Sequence, residues 1–92
     1  MKLVRDKIPI LFKMENTHIA DEAEYLSALD AKLREEVAEY LQDHAPEELA
    51  DVLEVVYALA AARGVSQEEL EQLRKKKADA RGSFKKRIIW ER

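Results

Sequence analysis

The chain is expected to be all-α, with three main helices forming a bundle that is completed by oligomerisation. Three observations predict this. Apolar residues recur at spacings of three and four along two long stretches, Leu26 to Leu41 and Leu49 to Ala60. Residues that start helices precede each periodic run: Asp21 with Glu24 three positions on, Pro46, and Ser66 with Glu69. The glycines, Gly64 and Gly82, stand where the second and third runs stop. With 92 residues, no internal repeat and no low-complexity linker, residues 1–92 read as a single domain.

Each element follows from local chemistry. Met1 to Ala20 is the least regular part, broken by Pro9 and by Asn16-Thr17, with a short helix expected within Lys7 to Met14. Asp21 is the expected N-cap of the first main helix. Leu26, Leu29, Leu33, Val37, Tyr40 and Leu41 carry its apolar stripe to about Asp43. Pro46 suits the first position of the second helix, although Ala45 makes a poor cap before it. Leu49, Val52, Leu53, Val56, Leu59 and Ala60 form that helix's main stripe. Val55, Tyr57, Ala58, Ala61 and Ala62 make its second half apolar nearly all round. Two neighbours within one chain can hardly surround such a helix, so a partner subunit is expected there. Ser66 and Glu69 form a capping box for the third helix, with Leu70, Leu73 and Ala80 directed inward. Phe84, Ile88, Ile89 and Trp90 in the tail are expected to pack on the body or on a partner.

Composition narrows the function classes. A domain this small has a marginal core and usually needs disulfides, a metal or a partner. Absence of cysteine excludes disulfides and zinc–cysteine sites, leaving oxygen-ligated metal or association. Two glycines eighteen positions apart exclude both a phosphate-binding P-loop and a dinucleotide fingerprint. Early charges at Lys2, Arg5, Asp6 and Lys7 argue against a signal peptide, and no apolar run is long enough to span a bilayer, so a cytoplasmic protein without membrane partners is expected.

Charge is segregated. Residues 21–54 hold twelve acidic and two basic side chains, whereas residues 55–92 hold ten basic and five acidic. Arg74 to Lys77 and Lys85 to Arg87 read as solvated faces, because no aromatics interleave with them and the chain is acidic overall. Nucleic acid is therefore not an expected partner.

The acids of the middle segment are patterned. Glu35, Glu36 and Glu39 end the first main helix, and Glu48 and Asp51 begin the second. A Glu-Glu-x-x-Glu run alone is what many solvated helices carry, and Lys32 or Arg34 could form surface ion pairs with it. The second motif mirrors the first. In an antiparallel hairpin, Glu39 with Glu48 and Glu36 with Asp51 share one midpoint in the expected turn at Asp43 to Ala45. Four carboxylates would then meet in two layers, a repulsive arrangement unless a hard divalent cation neutralises it.

Glu35-Glu36-x-x-Glu39 followed by Glu48-x-x-Asp51 resembles the paired motif of the MazG-like all-α nucleoside triphosphate pyrophosphohydrolases, a superfamily that includes phosphoribosyl-ATP pyrophosphohydrolase. Lys2 to Pro9, Glu48 to Glu54 and Lys77-x-x-x-Arg81-Gly82-x-Phe84 resemble the short members too, so the resemblance covers nearly the whole chain. It implies a homodimer or larger homo-oligomer. It also implies Mg²⁺-dependent cleavage of a nucleoside triphosphate to the monophosphate and pyrophosphate, with Mn²⁺ as a substitute metal. By position, Glu36, Glu39, Glu48 and Asp51 correspond to metal ligands, and Glu35 and Glu36 to the catalytic carboxylates, Glu35 either supporting a ligand carboxylate from behind or orienting the attacking water. Only eight residues separate Glu39 from Glu48, fewer than in many members, so the resemblance implies no particular base; nor does it imply phosphoribosyl-ATP as substrate.

Such chemistry also needs cations to hold the phosphates. Lys77 and Arg81, four apart on the third helix, and Arg5 and Lys7 near the start are the candidates. Asp6 offers Arg5 and Lys7 an internal partner instead. The rival expectation is a non-enzymatic helical interaction module whose acids only solubilise its surface.

Overall fold

The structure, a computed structural model, describes residues 1–91. Among them the regular elements are all helices: α1 (Ile8–Leu11), α2 (Glu22–Asp43), α3 (Pro46–Ala62) and α4 (Gln67–Arg81). The short α1 falls inside the expected stretch but closes early, where Lys13 and Asn16 take left-handed backbone angles.

Asp21 caps α2 by accepting from the Glu24 backbone N–H at 2.9 Å. Glu24 does not close a reciprocal box, because its carboxylate turns to His18 Nε2 at 2.9 Å. His44 adopts the left-handed conformation, φ 55°, and ends α2 by donating its N–H to the Tyr40 carbonyl. Ala45 is extended and Pro46 starts α3, so two residues reverse the chain. The outcome is the expected antiparallel hairpin, in which α2 and α3 form the main packing contact. At Gly64, φ +76° stops α3 with no neighbour near the Cβ position, so the backbone angle alone favours glycine. Ser66 and Glu69 form the expected capping box of α4.

The core of the single chain is small. Leu29 (1% exposed) and Val55 (8%) are its buried apolar residues, joined by the carboxylate-bearing Glu36 (7%). Residues Leu3 and Val4 lie half-buried along the hairpin. α4 touches α3 alone, and lightly, so two inward expectations are corrected: Leu73 and Ala80 are exposed, while Leu70 and Ala78 are half-buried. The all-apolar half of α3 is likewise not enclosed by its own chain. Val56 to Ala60 are only half-buried and Ala61 is exposed. Phe84, Ile88, Ile89 and Trp90 are more than three-quarters exposed, so the expected burial of the tail's apolar side chains is not met within the single chain.

These exposures add up to an open shape. The accessible surface is 8654 Å², against about 5500 Å² for a compact folded chain of 10.6 kDa. The radius of gyration is 16.4 Å, against about 12 Å for a compact domain of this length. No helix of the described residues is long and apolar enough to cross a membrane.

Candidate metal centre

The two faces of the α2–α3 hairpin differ in chemistry. At 100° per residue, Val37 and Leu41 fall on one side of the buried Leu29, while Glu36, Lys32, Glu39 and Glu35 fall successively further round on the other. Reversal of the chain brings Leu49 and Leu53 of α3 to the first face, and Asp51, Glu54 and Ala58 to the second. Val37, Leu41, Leu49 and Leu53 are all exposed, so the first face is an open apolar strip. The second face carries the acids and is crossed by residues 3–6.

Glu36, Glu39 and Glu48 converge there, each offering a carboxylate oxygen within 4.8 Å of the others. Glu36 and Glu39 are one turn apart on α2, and Glu48, in the first turn of α3, is brought to both by the short reversal. Glu36 is buried, Glu48 half-buried, and Glu39 reaches in from the solvent edge. Glu36 Oε2 and Glu48 Oε2 are buried without a hydrogen-bond partner among the described residues. Two orphaned anionic oxygens in one cluster are costly, because buried polar atoms are ordinarily satisfied. The strain also shows in Glu39. The neighbouring Glu36 raises its pKa by charge repulsion and by a hydrogen bond to the protonated form, with smaller contributions from burial, Glu48 and Glu35.

Three cations compensate part of this charge. Lys32 Nζ donates to Glu35 Oε2 at 3.1 Å and lies 3.2 Å from Glu36 Oε1. Burial opposes the Lys32 charge, but its bonds to Glu35 and Glu36 outweigh that and raise its pKa. Lys2 Nζ donates to Glu35 Oε1 at 3.2 Å. Lys32 first and Lys2 second hold the Glu35 carboxyl below its ordinary value, which keeps it an anion. Arg5 Nη2 donates to Asp51 Oδ1 at 2.7 Å.

Arg5 therefore pairs across the fold with Asp51, and its neighbour Asp6 is not its partner. Asp51 is not one of the three convergent carboxylates. It lies one turn further along α3, with a side chain one methylene shorter than glutamate, held by Arg5. Asp51 and Glu36 instead share a cavity of about 290 Å³ between the N-terminal segment and the hairpin. Arg5 and Lys32 also line it, and Leu3, Val4, Tyr25, Leu29, Val55 and Ala58 give it an apolar part.

Of the phosphate-binding candidates, only Arg5 reaches this cavity. Lys7 is exposed at the start of α1, and Lys77 and Arg81 are exposed on α4, which does not pack on α2. Lys32, expected among surface ion pairs, is instead the least exposed cation of the site. Its signal was its spacing, three and four residues before Glu35 and Glu36 on the acidic flank of α2.

The donor set is chemically uniform: carboxylate oxygens only, as hard divalent cations require. The cluster thus fits a divalent cation, and an ion there would give the two orphaned oxygens a partner. Comparison with protein-family models, with curated proteins and with solved structures returns no match.

Proposed function

We propose that the chain is a MazG-like nucleoside triphosphate pyrophosphohydrolase, releasing a nucleoside monophosphate and pyrophosphate with Mg²⁺, or Mn²⁺ in its place. The observation that carries the reading is the pair of buried, unsatisfied oxygens on Glu36 and Glu48 within a three-carboxylate cluster. The mirrored motifs and the resemblance through residues 2–9, 48–54 and 77–84 support it.

Glu36, Glu39 and Glu48 would hold the ion, with Asp51 as the fourth ligand. A cation held there would supply charge neutralisation on the phosphates and a more acidic water. The remaining work falls to the chain. Glu35, kept anionic by Lys32 and Lys2, would support the Glu36 carboxylate through the Lys32 that the two share. Lys32 fixes Glu35 and Glu36 relative to each other and faces the same cavity, where it and Arg5 place positive charge beside the departing pyrophosphate. The apolar part of the cavity, with Leu3, Val4, Tyr25 and Val55, is where a base would pack. Removal of unwanted nucleotides is the role that fits an enzyme of this kind, in the cytoplasm.

The working unit in this proposal is a homodimer or larger homo-oligomer. The chain exposes roughly 3000 Å² more than a compact protein of its mass, several times the roughly 800 Å² that one partner buries in a standard interface. The open strip of Val37, Leu41, Leu49 and Leu53 is its natural contact, because it lies opposite the acidic face and leaves the cavity accessible.

The test is pyrophosphate release from ordinary and modified nucleoside triphosphates, and from phosphoribosyl-ATP, with Mg²⁺ or with chelator. Release that needs the metal and is lost in Glu36→Ala is the expected result. No release from any substrate by folded, assembled protein refutes the enzymatic reading and leaves an interaction module built on the exposed apolar strip.

A further inference from the structure

Asp51 stands apart from the other acids of its face. The mirrored spacing assigns it to the cation, yet Arg5 holds it with a single Nη2–Oδ1 contact of 2.7 Å. We propose that Arg5 competes with the divalent cation for Asp51, and that cation binding frees the guanidinium to hold a substrate phosphate in the same cavity. The inference rests on Glu36, Glu39 and Glu48 being a cation site.

Several features make Arg5 suited to both positions. It precedes α1, on a segment outside the helices, so changing partner requires no helix to move. Arg5 and Asp51 line one cavity with Glu36, so the residue that Arg5 would leave and the space it would turn into are contiguous. The pair is weak enough to yield. Its side chains are 56% and 39% exposed, and ion pairs at that exposure contribute about 0.2–1 kcal/mol. Among the described residues the guanidinium uses one nitrogen in this contact, whereas its planar fork can offer several donors to a phosphate. Lys32 differs. It is much less exposed and bridges Glu35 and Glu36, so it stays a fixed charge. Arg5 is therefore the exchangeable counter-charge, and its release would link metal loading to phosphate capture.

Mn²⁺ binding, followed through loss of the free-ion paramagnetic resonance signal and without nucleotide, tests the first half. Relative to the unmodified protein, Arg5→Gln should bind Mn²⁺ more tightly by about 1.4- to five-fold, the factor that an ion pair of this exposure is worth. Asp51→Asn should bind it more weakly. In the Asp51→Asn background, Arg5→Gln should have no further effect; with Asp51 intact, Arg5→Lys should keep the affinity close to that of the unmodified protein. Inorganic pyrophosphate, titrated with Mn²⁺ present, tests the second half. Arg5→Gln should bind it about ten-fold more weakly, since a charged hydrogen bond is lost. An unchanged Mn²⁺ affinity in Arg5→Gln, or an equal gain with and without Asp51, overturns the competition. Unweakened pyrophosphate binding overturns the hand-over. If the unmodified protein binds no Mn²⁺ at all, the cation site itself is refuted. A change in melting temperature with none in Mn²⁺ affinity would reduce Arg5 to a structural residue.

Discussion

Leu53→Glu is expected to dissociate the proposed dimer while leaving the hairpin helical. Leu53 is 47% exposed in the single chain and lies on the apolar strip with Val37, Leu41 and Leu49. Full burial of a leucine is worth about 1.5–3 kcal/mol. Roughly half remains to be gained at this position, so each subunit loses about 1 kcal/mol on substitution. The glutamate that replaces it loses hydration in the interface, a further cost of about 1 kcal/mol or more. A two-fold interface counts each change twice, because the same patch occurs on both subunits. The total, about 4 kcal/mol, weakens dimerisation by roughly 1000-fold. Sedimentation velocity from nanomolar to micromolar protein, with circular dichroism for helix content, checks it. Dimer at every micromolar concentration for the unmodified chain and monomer for Leu53→Glu is the expected pair of results. A well-folded monomer of the unmodified protein at micromolar concentration would refute the argument from exposed area. An unchanged dimer in Leu53→Glu would keep the association but move it to another surface.

Three further outcomes follow from the site and the caps. Mg²⁺ at ten times its dissociation constant should stabilise the protein by about 1.4 kcal/mol, a melting shift of several degrees; Glu39→Gln should abolish that shift, and a melting temperature indifferent to millimolar Mg²⁺ would count against the cluster. Without metal, Glu39 has a raised pKa, so the folded state binds its proton more tightly than the unfolded state does. Its charge therefore costs stability above that pKa, and the cost is relieved as pH falls towards the ordinary value of 4.5. Glu39→Gln should consequently be more stable than the unmodified protein at neutral pH, with the gap closing in acid; parallel pH–stability curves would contradict the repulsion. Finally, Ser66→Ala removes the acceptor of the α4 capping box and should cost about 1 kcal/mol. Because α4 packs lightly, the loss should appear as fraying in helix content and amide exchange over α4, with α2 and α3 unaffected.

The proposed site combines two opposed demands. Buried like charges are unfavourable for the fold, yet convergent anionic oxygens are what a divalent cation selects. Glu36 and Glu48 each retain an orphaned oxygen, while Lys32 answers the other oxygen of Glu36 and, with Lys2, Glu35, and Arg5 answers Asp51. Of these, Lys32 is held between two carboxylates, whereas Arg5 makes one half-exposed contact. The distribution leaves the cluster under-compensated at its centre and compensated at its edges.

Much of this was legible without coordinates, because it depends on interactions within a few residues. The capping oxygens of Asp21 and Ser66, Pro46 at a helix start and Gly64 at a helix stop act locally, so the boundaries of α2, α3 and α4 could be read from residue order. The convergence of Glu36, Glu39 and Glu48 was readable because a two-residue reversal leaves an antiparallel hairpin little choice of register. What stayed hidden depended on partners far apart in sequence. Arg5 meets Asp51 across 46 positions, and Lys2 meets Glu35 across 33; neither separation carries a periodic signal. The exposure of Leu73 and Ala80 was hidden for a related reason. Periodicity shows that α4 has an apolar side, but only the tertiary arrangement decides whether anything in the same chain covers it. Local hydrogen bonding and helical spacing thus determined the elements, the Glu36–Glu39–Glu48 cluster and its Lys32 counter-charge, while the path of the N-terminal segment over the hairpin brought Lys2 to Glu35 and Arg5 to Asp51, the acid that spacing alone assigns to the cluster.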